Sequence, residues 1–170
     1  MRYALKAYQA DAVRDVLQNL ARARHQYREW KSLSQFSLAA TTGAGKTVMA
    51  AAVIEALFFG SDEFDIEPDP GAVVLWFSDD PSLNDQSRAR IHAASSELDA
   101  RLRVVPTTFA EPSFRPGNVY FLNTQKLSRT SRLVRGAAEP GQEFVPGVQL
   151  RPDTAQTNIY DTITNTINND

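Results

Sequence analysis

The stretch Ala40-Thr41-Thr42-Gly43-Ala44-Gly45-Lys46-Thr47 decides the fold. It matches the pattern G-x-x-x-x-G-K-[ST] at every fixed position except the first, where Ala40 stands in place of glycine. Its flanks agree with that pattern. Residues 35–40 are short and largely apolar, which predicts a buried strand, and residues 47–59 are rich in Ala, Val, Ile and Leu, which predicts a helix buried on most sides. Gly43 and Gly45 let the main chain turn so that several N–H groups point at one place. The positive end of the following helix adds to that field. Such a loop suits a nucleoside triphosphate: the Lys46 ammonium would reach the β- and γ-phosphates and the Thr47 hydroxyl would hold Mg²⁺.

Outward from this loop, strands and helices alternate. Val13, Val16, Leu17, Leu20 and Tyr27 recur at helical intervals from Tyr8 onward. Residues 60–71 are acidic and contain two prolines, so a surface loop is expected. Residues 72–77, Ala-Val-Val-Leu-Trp-Phe, form a continuous apolar run, the pattern of a parallel strand buried on both faces, and Trp76 and Phe77 are expected in the core. Residues 82–101 read as helix, 103–105 and 119–122 as short strands, and 136–152 as irregular chain rich in Gly and Pro. Ile159, Ile163 and Ile167 define one helix face, although the Thr and Asn between them are poor helix formers. The prediction is an α/β fold, a parallel sheet flanked by helices.

Composition narrows the function classes. The chain has 170 residues, with 42% hydrophobic and 22% charged side chains, which suits a folded domain rather than a disordered one. It contains no cysteine and two histidines, His25 and His92. This excludes a thiolate metal site and a cysteine nucleophile, and leaves both histidines as expected surface groups. The net charge is −2, but it is unevenly spread: residues 61–100 hold 10 acidic and 2 basic side chains, while residues 1–60 hold 8 basic and 4 acidic. The acidic run at 62–69, with Glu97 and Asp99, does not have calcium-loop spacing and reads as solvated surface. Lys126, Arg129, Arg132 and Arg135 recur every third residue, either as a solvated face or as a phosphate-contacting stripe. No apolar run approaches a membrane span and the N-terminus lacks a signal-peptide core, so a cytoplasmic protein without membrane contact is expected.

The loop at 40–47 resembles motif I of superfamily 2 helicases and translocases, where alanine commonly opens the motif. Leu5-Lys6-Ala7-Tyr8-Gln9 resembles the Q-motif segment, some thirty residues upstream. Residues 73–86, ending in Ser-Asp-Asp-Pro-Ser-Leu-Asn-Asp-Gln, resemble motif Ia, and Thr124-Gln125-Lys126-Leu127 after an apolar strand resembles the next conserved turn. The chain is most similar in these features to DEAD/DEAH-box helicase family proteins like the Res subunit of type III restriction enzymes, over about residues 3–135. That resemblance implies a P-loop NTPase (RecA-like) lobe, ATP with Mg²⁺ as cofactors, and ATP hydrolysis coupled to movement on nucleic acid, DNA being expected. It implies nucleotide binding by Tyr8, Gln9, Thr42, Gly43, Ala44, Gly45, Lys46 and Thr47, with Lys46 also contacting the transition state and the Gln9 amide reading the adenine edge. It implies nucleic-acid contacts by Asn84, Gln86, Thr124, Gln125 and Lys126, each of which could instead serve as a helix or strand cap. It leaves open membership of a restriction–modification complex.

The departures from the family matter as much. No Asp-Glu pair follows Leu122, although the family places there the Asp that holds Mg²⁺ and the Glu that polarises water. The second lobe, with its arginine finger, is not expected within these 170 residues. The expected organisation is an N-terminal helix with the Q-motif-like segment at 1–34, then a partial RecA-like domain at 35–170 truncated before motif II. ATP binding without useful turnover is expected of such a chain, with hydrolysis confined to a longer parent. Two alternatives stand beside this. Asp79 and Asp80, after the apolar run, could act as a Walker B pair in a complete small P-loop NTPase or kinase, or the chain could be a non-catalytic binding remnant.

Overall fold

Helix α1, Ala7–Trp30, begins where Gln9, its third helical residue, accepts the Lys6 amide through Oε1 at 2.9 Å. This satisfies one of the donors that a helix start leaves bare. Gln9, Val13 and Leu17, four residues apart, form its buried stripe. The helix ends at Lys31, whose main chain turns left-handed (φ 52°) and returns its N–H to Tyr27 O. Helix α2, Lys46–Phe59, starts from Gly45 and stops at Gly60, whose N–H bonds Ala56 O at 2.9 Å. Small alanines at 51, 52 and 56 let it bury several faces together with Met49, Ile54 and Phe58.

The computed structural model describes residues 1–128, 131–135 and 157–168. The chain forms two compact units, one of Met1–Ala72 with Gln86–Leu102, the other of Val73–Asp85 with Arg103–Asp170. In the first unit α1 packs on α2 through Val13, Leu17, Met49, Ala52 and Ala56, with Phe64 and Ile66 of the acidic loop against them. That loop is pinned to α1 by the Arg24–Asp69 ion pair, and the Arg14 guanidinium lies 5.7 Å from the Phe64 ring centre. The segment after α3 is tied to α2, with Ser95 Oγ donating to the Glu55 carboxylate.

The second unit holds the sheet, in the order β1-β3-β2, formed by β1 (Val73–Ser78), β2 (Leu102–Val104) and β3 (Asn118–Asn123). β1 and β3 run parallel, with Val73 opposite Asn118 and Ser78 opposite Asn123. Every residue of central β3 is buried. Val105, Phe114, Tyr120 and Leu122 pack with Leu133 of α4 (Arg132–Arg135) and Ile159 of α5 (Ile159–Asn168). Helix α3, Pro81–Ala94, follows β1. The architecture is α/β, a parallel sheet flanked by helices, as the alternation of segments predicts.

Four local expectations are corrected. Residues 35–40 form no strand and are mostly exposed, Phe36 by 46% and Leu38 by 39%. A strand needs a neighbour for its N–H and C=O groups, and among the described residues none runs beside this stretch. β1 is an edge strand and only partly buried; Phe77 is 44% exposed instead of lying in the core, while Trp76 reaches the Phe121 ring at 6.0 Å between centres. The helix expected over 82–101 stops at Ala94, and a single 3₁₀ turn, Asp99–Arg101, precedes β2. Lys126 and Arg132 do not share one helix: the first sits in a 3₁₀ turn (Thr124–Leu127), the second opens α4. Arg129 and the irregular stretch 136–152 lie outside the described residues.

The Thr- and Asn-rich helix α5 does form, and its polar side chains show why. Asn158 Oδ1 accepts the amides of Tyr160 and Asp161, each at 2.9 Å, and so caps the helix. Thr162 Oγ1 donates to Glu111 O at 2.7 Å, Asn165 Nδ2 donates to Pro112 O at 2.9 Å, and Thr166 Oγ1 accepts from the Phe114 amide at 2.8 Å. Low intrinsic helix preference is offset by these bonds to the irregular segment at 111–114.

Candidate functional site

The glycine-bearing loop lies in the first unit, ahead of α2. Gly43 (φ 85°) and Gly45 (φ 83°) are both left-handed, a conformation that side-chain-bearing residues reach only with strain. Of the amides from Thr42 to Val48, only that of Ala44 bonds a backbone acceptor among the described residues, Thr41 O at 3.2 Å. The first regular bond of α2 is Met49 N–H to Gly45 O at 3.0 Å. The other amides of the turn are thus available at the positive end of α2, the arrangement that attracts anions. Lys46 Nζ curls back on the loop and donates to Ala40 O at 2.7 Å and Thr41 O at 3.1 Å. Its ammonium therefore lies against the first residues of the same loop. These residues fit a Mg²⁺-bound triphosphate: open N–H groups and Lys46 for phosphate oxygens, the Thr47 hydroxyl for the metal.

Tyr8 and Gln9 approach the loop from α1 and meet its main chain. Tyr8 Oη donates to Ala44 O at 3.1 Å, and Gln9 Nε2 donates to the same oxygen at 3.0 Å. With Oε1 taking the Lys6 amide, both ends of the Gln9 side chain are engaged by the protein. A β-carbon built on Gly45 would lie 2.5 Å from Gln9 Nε2, so only glycine permits this approach. The sequence did not disclose the Ala44 carbonyl as the meeting point. The available signal was Gln9 three residues after Lys6 at a helix start, the spacing of a capping residue.

The residues expected to meet nucleic acid separate into two kinds. Asn84 is buried and acts as a tie: it donates to Leu122 O at 2.7 Å and accepts from Ser78 Oγ at 2.8 Å, joining the start of α3 to β3 and the end of β1. Both functional ends of its amide are used inside the protein. Thr124 and Gln125 are exposed on the 3₁₀ turn after β3, and Gln86 is exposed on α3. Lys126 is half-buried and donates from Nζ to Val105 O, and its main-chain N–H is capped by Asn123 Oδ1 at 3.0 Å. Burial holds its amine below the ordinary lysine pKa, partly offset by the Asp85 carboxylate.

Asp80 takes a structural part. Its Oδ1 accepts the Ser82 amide at 2.7 Å, and its own carbonyl accepts from Leu83 N–H. The Ser82 amide, then the Ser82 hydroxyl, hold this carboxyl below its usual pKa. Asp80 thus caps the start of α3. Asp79 is exposed.

A protein-family model described as "Type III restriction enzyme, res subunit" matches residues 2–161. No curated protein and no solved structure matches the chain. No helix among the described residues is long and apolar enough to cross a membrane.

Proposed function

Because the chain belongs to the Res-subunit family of type III restriction enzymes, a family of helicase-like ATPases that act on nucleic acid, we propose that residues 42–47 bind the triphosphate of ATP together with Mg²⁺. One observation carries this reading. A P-loop of an incomplete RecA-like lobe presents open amides at the start of α2, between two left-handed glycines, with the Lys46 ammonium held against the same loop. Lys46 would contact the β- and γ-phosphates and Thr47 would ligate Mg²⁺; Mg²⁺ supplies neutralisation of phosphate charge when bound. Hydrolysis would further need an Asp to hold the metal and a Glu to polarise the attacking water. In a longer parent, hydrolysis would couple to DNA, with exposed Thr124, Gln125 and Gln86 donating to phosphate oxygens and Lys126 reaching them after releasing Val105 O. A cytoplasmic location accompanies this reading, which leaves open membership of a restriction–modification complex.

The alternative with Asp79 and Asp80 as Walker B is weaker, since the Asp80 carboxylate is engaged as the α3 cap. Titration with a fluorescent ATP analogue and Mg²⁺ tests the proposal. Saturable binding, weakened at least tenfold in Lys46→Ala, is expected. Equal binding by the variant overturns it, and Mg²⁺-dependent hydrolysis abolished by Asp79→Ala would favour the complete-NTPase alternative.

A further inference from the structure

We infer that residues 35–39 are a docking strip for a second copy of this chain, paired antiparallel about a two-fold axis at Ser37. The inference stands apart from nucleotide binding. Across residues 32–39 no main-chain N–H or C=O bonds another main-chain group among the described residues. Leu33, Phe36 and Leu38 are exposed in the same stretch. The strip is held at both ends. On one side Ser34 Oγ donates to Gln26 Oε1 of α1 at 2.6 Å. On the other, Ala40 O accepts from Lys46 Nζ at 2.7 Å, and Ala40 packs against the core of the first unit. Between these ties lie residues 35–39 with unbonded backbone, and Ser37 is their centre.

The chemistry of the strip selects its occupant. Residues 32–40 contain no charged side chain and no proline. Those are the devices that keep an exposed strand from pairing with its like. Phe36 and Leu38 alternate with Gln35, Ser37 and Ala39, so an extended strip carries its large apolar groups on one face. A two-fold axis at Ser37 sets Phe36 against the partner's Leu38, Ser37 against its own copy, and Gln35 against the partner's Ala39. Apolar groups meet on one face, small and polar groups on the other, and no like charges oppose each other. A strand bearing Lys, Asp or Glu would find no counter-charge here, whereas the chain's own copy brings no charge that needs one. The same pairing gives the main-chain groups the hydrogen-bond partners that the described chain does not supply. So short a strip buries less than the ~1,200 Å² of a standard specific interface, so a weak, concentration-dependent dimer is expected.

Because the chain has no cysteine, single thiols can report the pairing. Ser37→Cys and Ser32→Cys each introduce one. Opposed Cα atoms in an antiparallel pair lie about 4.5–5.5 Å apart, inside the range a disulfide spans. Ser32 is five residues from the axis, so its two copies are separated by about 30 Å along the strands. Under mild oxidation at micromolar concentration, Ser37→Cys should form a disulfide-linked dimer at least about tenfold faster than Ser32→Cys, the gain of holding two thiols side by side. Adding Leu38→Lys, which sets two like charges near the axis, should remove that advantage. Sedimentation velocity of the wild type should show monomer and dimer in a ratio that shifts with concentration, and Leu38→Lys should be monomeric with unchanged helical circular dichroism. A wild type that stays monomeric at every concentration overturns the inference and leaves the strip to a different partner. Equal cross-linking rates in the two cysteine variants overturn it as well, whatever the fold of Leu38→Lys. Assemblies larger than a dimer as the main product overturn the closed two-fold pair in favour of open-ended stacking.

Discussion

Replacing Gly45 by alanine should destabilise the first unit more than the same change at Gly43, and the difference has a single source. Both residues are left-handed, at φ 83° and 85°. An L-residue in that region costs about 1–2 kcal/mol, so both variants carry this strain. At Gly43 nothing lies within 4 Å of the added carbon, and the effect should end there. At Gly45 the carbon arrives 2.5 Å from Gln9 Nε2, a distance at which one of them must move. Gln9 then releases Ala44 O, at about 1 kcal/mol for the net hydrogen bond, and more if the Lys6 amide is also lost. The expected totals are about 1–2 kcal/mol for Gly43→Ala and about 2–4 kcal/mol for Gly45→Ala. Urea unfolding followed by helical circular dichroism measures both, provided the slope of the transition is unchanged. Gln9→Ala supplies the control. It removes the atom that collides, so Gly45→Ala combined with Gln9→Ala should cost less than the two separate changes added together, by about 1 kcal/mol. Equal destabilisation at the two glycines, or strict additivity of the pair, would refute the packing argument.

Other outcomes follow from the second unit. Asn84→Ala should cost about 2–3 kcal/mol in urea unfolding, because it leaves the buried Leu122 carbonyl without its 2.7 Å donor; a loss below about 0.5 kcal/mol, the scale of a neutral surface change, would count against the tie. Thr162→Val keeps the shape of a residue only 1% exposed but deletes its donor to Glu111 O, and should cost about 1–2 kcal/mol, with amides near Glu111 exchanging faster. Asp80 has a lowered folded pKa, so its contribution is present above the ordinary carboxylate range and is lost as pH falls through the folded value. The urea midpoints of wild type and Asp80→Ala should accordingly differ near neutral pH and converge as the solution is acidified below the ordinary carboxylate range. A gap that widens on acidification would contradict the helix-cap role.

Much of the architecture was legible because periodicity and local chemistry act over a few residues. Val13 and Leu17 share a helix stripe whatever surrounds them, and the run ending at Phe77 is extended because its residues favour a pleated, apolar setting. The loop at 40–47 was legible for the same reason: two glycines, a lysine and a helix start are local facts. Phe77 and residues 35–40 were misjudged because burial of a strand depends on its neighbours. β1 lies at the edge of the sheet and β3 at its centre, although both read as apolar runs.

The amino-acid order by itself determined which backbone could turn and carry amides toward an anion, since a missing β-carbon is a property of Gly43 and Gly45 alone. Tertiary structure decided where the polar side chains were used. Gln9 and Asn84 each have an amide that suits a base edge or a phosphate, but folding brought a main-chain carbonyl within 3.0 Å of each. A buried carbonyl left without a donor is costly, and nothing in the residue's name reveals which carbonyl will arrive beside it.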